Sequence, residues 1–215
     1  PKQAGTHHFR SGTHGPVSCL AQVAALMDAA IVEWLNGGVG AFRPWDSFME
    51  AMMSDYLVPA FSSLMLIGLW FTGRDPERYY NQLAVIVGVS GLGLANLGIA
   101  ILNTHYFRER PFVHLDLDLL FYQPSDSSFP ANVAAVGFAL AIAVVFRNRT
   151  LGLILVAFSL VWSGARVYAG VHYPSDILAG AAMGMAGTGF AYLVAVLVPW
   201  LPRSVFRAAR VLYLA

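Results

Sequence analysis

Residues 165–180 read ARVYAGVHYPSDILAG, and in that stretch Arg166, His172 and Asp176 are separated by five and then three residues, at the joint between two apolar runs. A cation, an imidazole and a carboxylate gathered where one helix ends and another begins form a pattern suited to handling phosphate. Pro174 pushes Tyr173 out of helical geometry and sets a helix start at about Ser175. His172 is therefore expected on the loop and Asp176 in the first helical turn. A helix N-terminus also favours a bound anion.

The apolar runs on either side decide the compartment. With 57% hydrophobic and only 12% charged residues, the 215-residue chain is too apolar for a soluble domain and is expected to be an integral membrane protein. A formal charge of +1, with no basic stripe interleaved with aromatic residues, gives no reason to expect a nucleic-acid partner. The single cysteine, Cys19, excludes an internal disulfide and any multi-cysteine metal site, and reads as packing. His7, His8 and His14 lack a fourth ligand or helical spacing and read as part of a solvated tail. No metal and no cofactor is expected.

Charged or Pro/Gly-marked joints divide the apolar sequence into segments 56–72, 81–103, 131–146, 151–163 and 177–200. Segment 17–35 is helical in pattern but carries Gln22, Asp28 and Glu33, so it is either a sixth span with buried acids or an interfacial helix, and the sixth span is preferred. The expectation is an all-α polytopic membrane bundle of five to six transmembrane helices. A polar segment over 1–16 precedes the bundle at 17–203, and an amphipathic tail follows at 204–215. The first fifteen residues carry no apolar run ending in a cleavage site, so no signal peptide is expected. In the last span, Gly180, Gly184, Gly187 and Gly189 read as small residues that permit close helix packing. Trp45, Trp70, Trp162 and Trp200 fall near span ends, where an aromatic belt is expected.

Orientation follows from the positive residues, which are retained in the cytoplasm. Arg74, Arg78, Arg147, Arg149, Arg203, Arg207 and Arg210 fall on one side, against Arg43, Arg108, Arg110 and Arg166 on the other. The first set is expected inside, which turns the phosphate-type site towards the periplasm of a bacterial inner membrane, or the equivalent outer side of an organelle.

Loop 104–130 is the longest polar interruption and holds a second motif, NTHYFRERPF over 103–112, with Arg108 and Arg110 just before Pro111. Together with ARVYAGVHYPSD, it resembles the type 2 phosphatidic acid phosphatase and vanadium haloperoxidase superfamily, an all-helical fold whose membrane branch dephosphorylates lipids. That family has three signatures: a lysine followed seven residues later by Arg-Pro; Ser-Phe-Pro-Ser-Gly-His opening a helix; and Arg, five residues, His, three residues, Asp. The third is intact here. In the first, Arg110-Pro111 matches, but Asn103 stands where the lysine is expected. In the second, Ser128-Phe129-Pro130-Ala131-Asn132-Val133 follows the pattern with Ala131 for serine and Val133 for histidine. A register through Pro124–Ser127 recovers the serine but not the imidazole, and the first register is preferred because an apolar helix opens at Ala131.

The resemblance implies His172 as nucleophile and Asp176 as the group orienting it. It implies Arg110 and Arg166 as phosphate ligands, with Asn103 and Asn132 at the remaining phosphate-binding positions. Loss of a general acid costs ~10²–10⁴ in rate, and each missing transition-state donor ~10²–10³. His105 and His114 lie in the same loop as candidate substitutes, although such histidines more often face water. The retained ions also fit a structural account, in which Asp176 pairs with Arg166 and ties two helices together. The polar start, PKQAGTHHFRSGTHG, stays ordered only against a partner, so other membrane protein subunits are expected alongside membrane lipids. Three readings compete: a phosphatase-fold protein with an incomplete site, acting as an accessory subunit or phospholipid-binding protein; an active lipid phosphatase; and a channel or transporter, which the absence of paired broken helices disfavours.

Overall fold

The computed structural model describes residues 16–120 and 122–211. Its helices are α1 (Pro16–Asn36), α2 (Arg43–Met52), α3 (Leu57–Phe71), α4 (Glu77–Asn103), α5 (Pro111–His114), α6 (Asn132–Val145), α7 (Arg149–Tyr168), α8 (Pro174–Leu197) and α9 (Trp200–Val211). No strand occurs among the described residues. The five apolar segments become α3, α4, α6, α7 and α8, as an all-α membrane bundle requires. Three of these, α4, α7 and α8, are long and apolar enough to cross a membrane, and a fourth crossing exists if α2 and α3, bent by 56°, form one span. Helix α6 is shorter at 14 residues.

Helix α6 forms the centre of the bundle. Its Ala134, Ala135, Gly137, Ala139, Ala141 and Ala143 are all buried, and such small side chains let α4, α7 and α8 close around it. Close approach is literal along α8. A Cβ on Gly180 would fall 2.1 Å from the Ala131 carbonyl oxygen, one on Gly184 2.4 Å from that of Ala135, and one on Gly187 2.6 Å from that of Gly91. Gly189 faces open space and does not share this role. Gly184→Ala should therefore destabilise the protein by about 1–3 kcal/mol through overpacking. Gly189→Ala should be neutral, or stabilising by up to about 1 kcal/mol from helix propensity. The midpoints of unfolding in detergent check the pair, and equal behaviour of the two variants would remove the packing argument.

Segment 17–35 forms most of α1. Among the described side chains of α1, Asp28, Val32 and Asn36, four residues apart on one stripe, are the buried ones, whereas Leu26, Met27 and Trp34 are exposed. The stripe serves the start of α8 and the end of α7: Ser175 N donates to Asp28 Oδ1 at 3.1 Å, and Asn36 Nδ2 donates to the Tyr168 carbonyl at 3.0 Å. Trp162 is also not a belt residue, being 2% exposed within the bundle core. At the opposite end, α9 docks through buried Phe206, whose ring lies 6.3 Å from that of Trp70 and 5.0 Å from that of Tyr79.

The two ends of the bundle differ in chemistry. Gly73, Glu77, Arg147 and Asn148 line one end, and Asn103, Arg110, Asn132, Arg166 and His172 the other. Residues 1–15, which include the three N-terminal histidines, lie outside the described residues.

Candidate active site

Arg166 stands in the last turn of α7, and the chain then turns through Gly170, whose φ of +69° is a left-handed conformation that suits glycine. Pro174 opens α8 with Tyr173 as its N-cap, so His172 lies on the joint and Asp176 in the first turn. Arg110 immediately precedes Pro111, and α6 begins at Asn132 directly after Ala131. Val133 therefore lies in the first turn of α6.

A cavity of about 370 Å³ at this end is lined by Asn103, Arg110, Asn132, Val133, Arg166 and His172, and also by Asn96, Asp55, Tyr122 and Asp126. Its volume lies in the range of small-ligand sites. Five of the six residues singled out from the sequence therefore meet in one pocket. Asp176 is the exception: it is fully buried and does not line the cavity.

The imidazole is held from behind. His172 Nδ1 donates to the Ser128 carbonyl at 2.9 Å, which leaves Nε2 as the acceptor, 3.2 Å from Arg110 Nη1. This corrects the expected role of Asp176. Its Oδ2 lies 3.9 Å from His172 Nδ1 and instead accepts from the Ser128 hydroxyl and, at 2.9 Å, from Tyr173 N. Asp176 therefore orients His172 through Ser128. The expected pairing of Asp176 with Arg166 is also corrected. Asp176 pairs with Arg108 Nη1 at 2.6 Å, and Arg108 Nη2 reaches Asp28 at 3.0 Å. The Arg108 guanidinium also lies 4.1 Å above the Tyr173 ring.

Arg166 pairs with Asp55 and donates to the Met53 carbonyl at 2.8 Å, and Arg110 donates to Asp126 Oδ1 at 2.8 Å. Both arginines on the cavity wall thus hold carboxylates, which an arriving phosphate can replace with oxygens of the same geometry. His105 bonds Thr104 and the Ile101 carbonyl, while His114 pairs with Glu109. Neither lines the cavity.

Local sequence gave no sign of Asp55 or Asp126, because only the fold brings their loops to the arginines. Asn96 was findable, since it stands seven residues before Asn103 on the same face of α4.

Burial pushes the His172 imidazole down to about 3, with Arg110 and Arg166 adding to the fall against the pull of the Ser128 carbonyl. A folded value below the unfolded value of about 6.5 means that the unfolded chain takes up the extra proton as acidity increases. Stability is then complete above about pH 6.5 and is lost as the pH falls from there towards about 3, by about 1.4 kcal/mol per unit at most. His172→Asn should flatten this part of the profile when unfolding midpoints in detergent are compared between about pH 7 and about pH 4.5. An unchanged slope would show that the imidazole is not held neutral.

The chain is 35% identical over 133 residues to the undecaprenyl-diphosphatase BcrC of Bacillus subtilis, covering 62% of this chain and 66% of that one. It is 27% identical over 183 residues to the lipid A 4'-phosphatase of Bacteroides thetaiotaomicron, covering 79% and 77% of the two chains. The crystal structure of Aquifex aeolicus LpxE shares the fold with a TM-score of 0.61 at 23% identity, over 76% of this chain and 93% of that one. The PAP2 superfamily model matches residues 81–200, the span from α4 through α8 that carries every pocket-lining residue but Asp55, and this integral membrane protein is a member of that superfamily.

Proposed function

We propose that the protein removes phosphate from a phosphorylated membrane lipid, a phosphomonoester or a pyrophosphate, through a phosphohistidine on His172. The observation that carries this reading is the orientation of the imidazole. Its Nδ1–H is taken by the Ser128 carbonyl, and the Nε2 lone pair lies in the cavity beside Arg110. A neutral imidazole in this tautomer attacks without first losing a proton, once Arg110 turns the N–H it donates to Nε2 onto the phosphoryl group. Arg110 and Arg166 then carry the phosphoryl oxygens, assisted by the amides of Asn103 and Asn132, and neutralise charge that grows in the transition state. The curated relatives are by name phosphatases of an undecaprenyl diphosphate and of lipid A, which supports a lipid substrate. The arginine-rich end belongs in the cytoplasm, so the site opens to the periplasmic or equivalent outer side.

Purified protein in mixed micelles, offered phosphatidic acid, phosphatidylglycerophosphate and undecaprenyl pyrophosphate, should release inorganic phosphate from at least one of them. A second reading, phospholipid binding without turnover, is favoured by Val133 on the cavity wall. Lipid binding with no release from any of the three would select it. The accessory-subunit reading rested on residues 1–15, outside the described residues, and finds no support in the fold or in the relatives.

A further inference from the structure

We infer that Asp55 supplies the proton to the leaving lipid oxygen, doing the work for which Val133 has no group; this rests on the turnover proposed above. Asp55 lies between α2 and α3, and no signature of the sequence points to it. Its Oδ1 pairs with Arg166 and its Oδ2 accepts from the Tyr122 hydroxyl at 3.2 Å, and both Asp55 and Tyr122 line the cavity. Placement is the first argument. Val133 packs against the buried cluster that includes Met53 and Val58, which lie two residues before and three residues after Asp55. The joint carrying Asp55 and the side chain that stands where an imidazole is expected thus share one core cluster and one cavity wall. The carboxyl is 43% exposed, open enough to meet a substrate and close enough to touch Arg166.

Elimination is the second argument. The guanidiniums of Arg110 and Arg166 do not release protons, and His172 is committed as the nucleophile. The Tyr122 phenol is raised, by burial first and then by Asp55, which makes it a poorer acid. Asp126 is held to Arg110 through both its carboxylate and its main-chain carbonyl, and its side chain is 78% exposed. Asp55 is the remaining acid beside Val133.

Asp55 Oδ1 accepts from Arg166 Nη2. When a phosphoryl oxygen takes over the Arg166 Nη2 donor, Oδ1 is released next to an anion. Oδ1 then takes up the proton that the transfer step needs. The proton comes from the substrate's own P–O–H as its monoanion binds, or from water. In the transfer step the His172 Nε2–P bond forms and the P–O bond to the lipid breaks. The electron pair goes to the lipid oxygen, and the Asp55 proton follows it to give the free alcohol. The products are a phosphohistidine with Nδ1–H still on the Ser128 carbonyl and an Asp55 carboxylate.

A general acid matters in proportion to how poor the leaving group is, and the test uses that. First-turnover release of alcohol is measured with dodecyl phosphate, and of phenol with p-nitrophenyl phosphate. Asp55→Asn should slow dodecanol release by about 10²–10⁴-fold and p-nitrophenol release by less than about tenfold, because nitrophenolate leaves without help. His172→Ala loses both. Asp55→Glu, which keeps an acid and a partner for Arg166, should stay within about tenfold of the native protein on dodecyl phosphate. An equal fall on both esters with Asp55→Asn would show that Asp55 acts only by placing Arg166, and a fall with Asp55→Glu as deep as with Asp55→Asn would show the same; either overturns the inference. No fall on dodecyl phosphate overturns it too. Native protein that releases nothing from either ester or from the three lipids removes the turnover itself, and the inference with it.

Discussion

His172→Ala is expected to abolish phosphate release, by on the order of 10⁴–10⁶-fold, since removing a nucleophile eliminates the covalent route. Two structural facts set this expectation above those for the other pocket residues. The imidazole is 5% exposed and fixed by the Ser128 carbonyl at 2.9 Å, so water cannot take its place in the same geometry. Its Nε2 is the neutral nucleophilic atom beside the paired arginines, whereas Arg110 and Arg166 share the work of charge stabilisation, so each alone contributes about 10²–10³. The variant should still bind a lipid phosphate, because both guanidiniums remain. Phosphate release is the decisive measurement, with lipid binding alongside as the control for folding. Release by His172→Ala at a rate near that of the native protein would assign the chemistry to another group. Loss of binding together with release would mean that the imidazole holds the pocket open rather than attacks.

Arg108→Ala is expected to have the largest effect on stability, about 3–5 kcal/mol, because it strips the cation from two buried acids at once. Asp176 is completely buried and Asp28 has a side chain 10% exposed, and Arg108 bridges them at 2.6 Å and 3.0 Å. Its plane also covers Tyr173, the N-cap of α8. Lysine is a poor substitute, since one ammonium cannot reach both carboxylates and lie over the ring in the fork geometry of a guanidinium. The effect should show as a fall in the unfolding midpoint in detergent. Asp28→Asn should recover part of it by removing one of the orphaned charges. A midpoint unchanged by Arg108→Ala would mean that the two acids are neutral or hydrated, and the bridge would lose its structural role. The same bridge connects α1 to the site: Asp28 and Arg108 hold Ser175 and Asp176, Asp176 holds Ser128, and Ser128 holds His172.

Much of the pocket was legible along the chain because its parts lie close in sequence at helix ends. Arg166, His172 and Asp176 fall within eleven residues, and Pro174 alone suffices to put the imidazole on the joint and the carboxylate in the first turn. Arg110 before Pro111 and Asn132 at the opening of α6 were readable for the same reason. The direct partners of these residues were not. The expected His172–Asp176 contact runs through Ser128, and the expected Asp176–Arg166 pair is replaced by Asp176–Arg108 and Arg166–Asp55. A four-residue separation brings two side chains near each other, but the Ser128 carbonyl, in the loop before α6 and forty-four residues away, reached Nδ1 first.

The amino-acid sequence by itself determined the compartment, the all-helical class, the apolar helices and the end of the bundle at which phosphate chemistry gathers. All of these follow from composition, periodicity and proline placement, which act over a few turns of chain. Only the tertiary structure decided which acids sit on the arginines and that α1 serves the site through Asp28. It also decided that Asp55 and Val133 line the same cavity. Those contacts join residues separated by dozens of positions, and they depend on how closely α6 and α8 approach. That approach is set by glycine against backbone oxygen, as at Gly180 and Gly184, and no local pattern encodes which strongly hydrogen-bonding groups then fall within reach of one another.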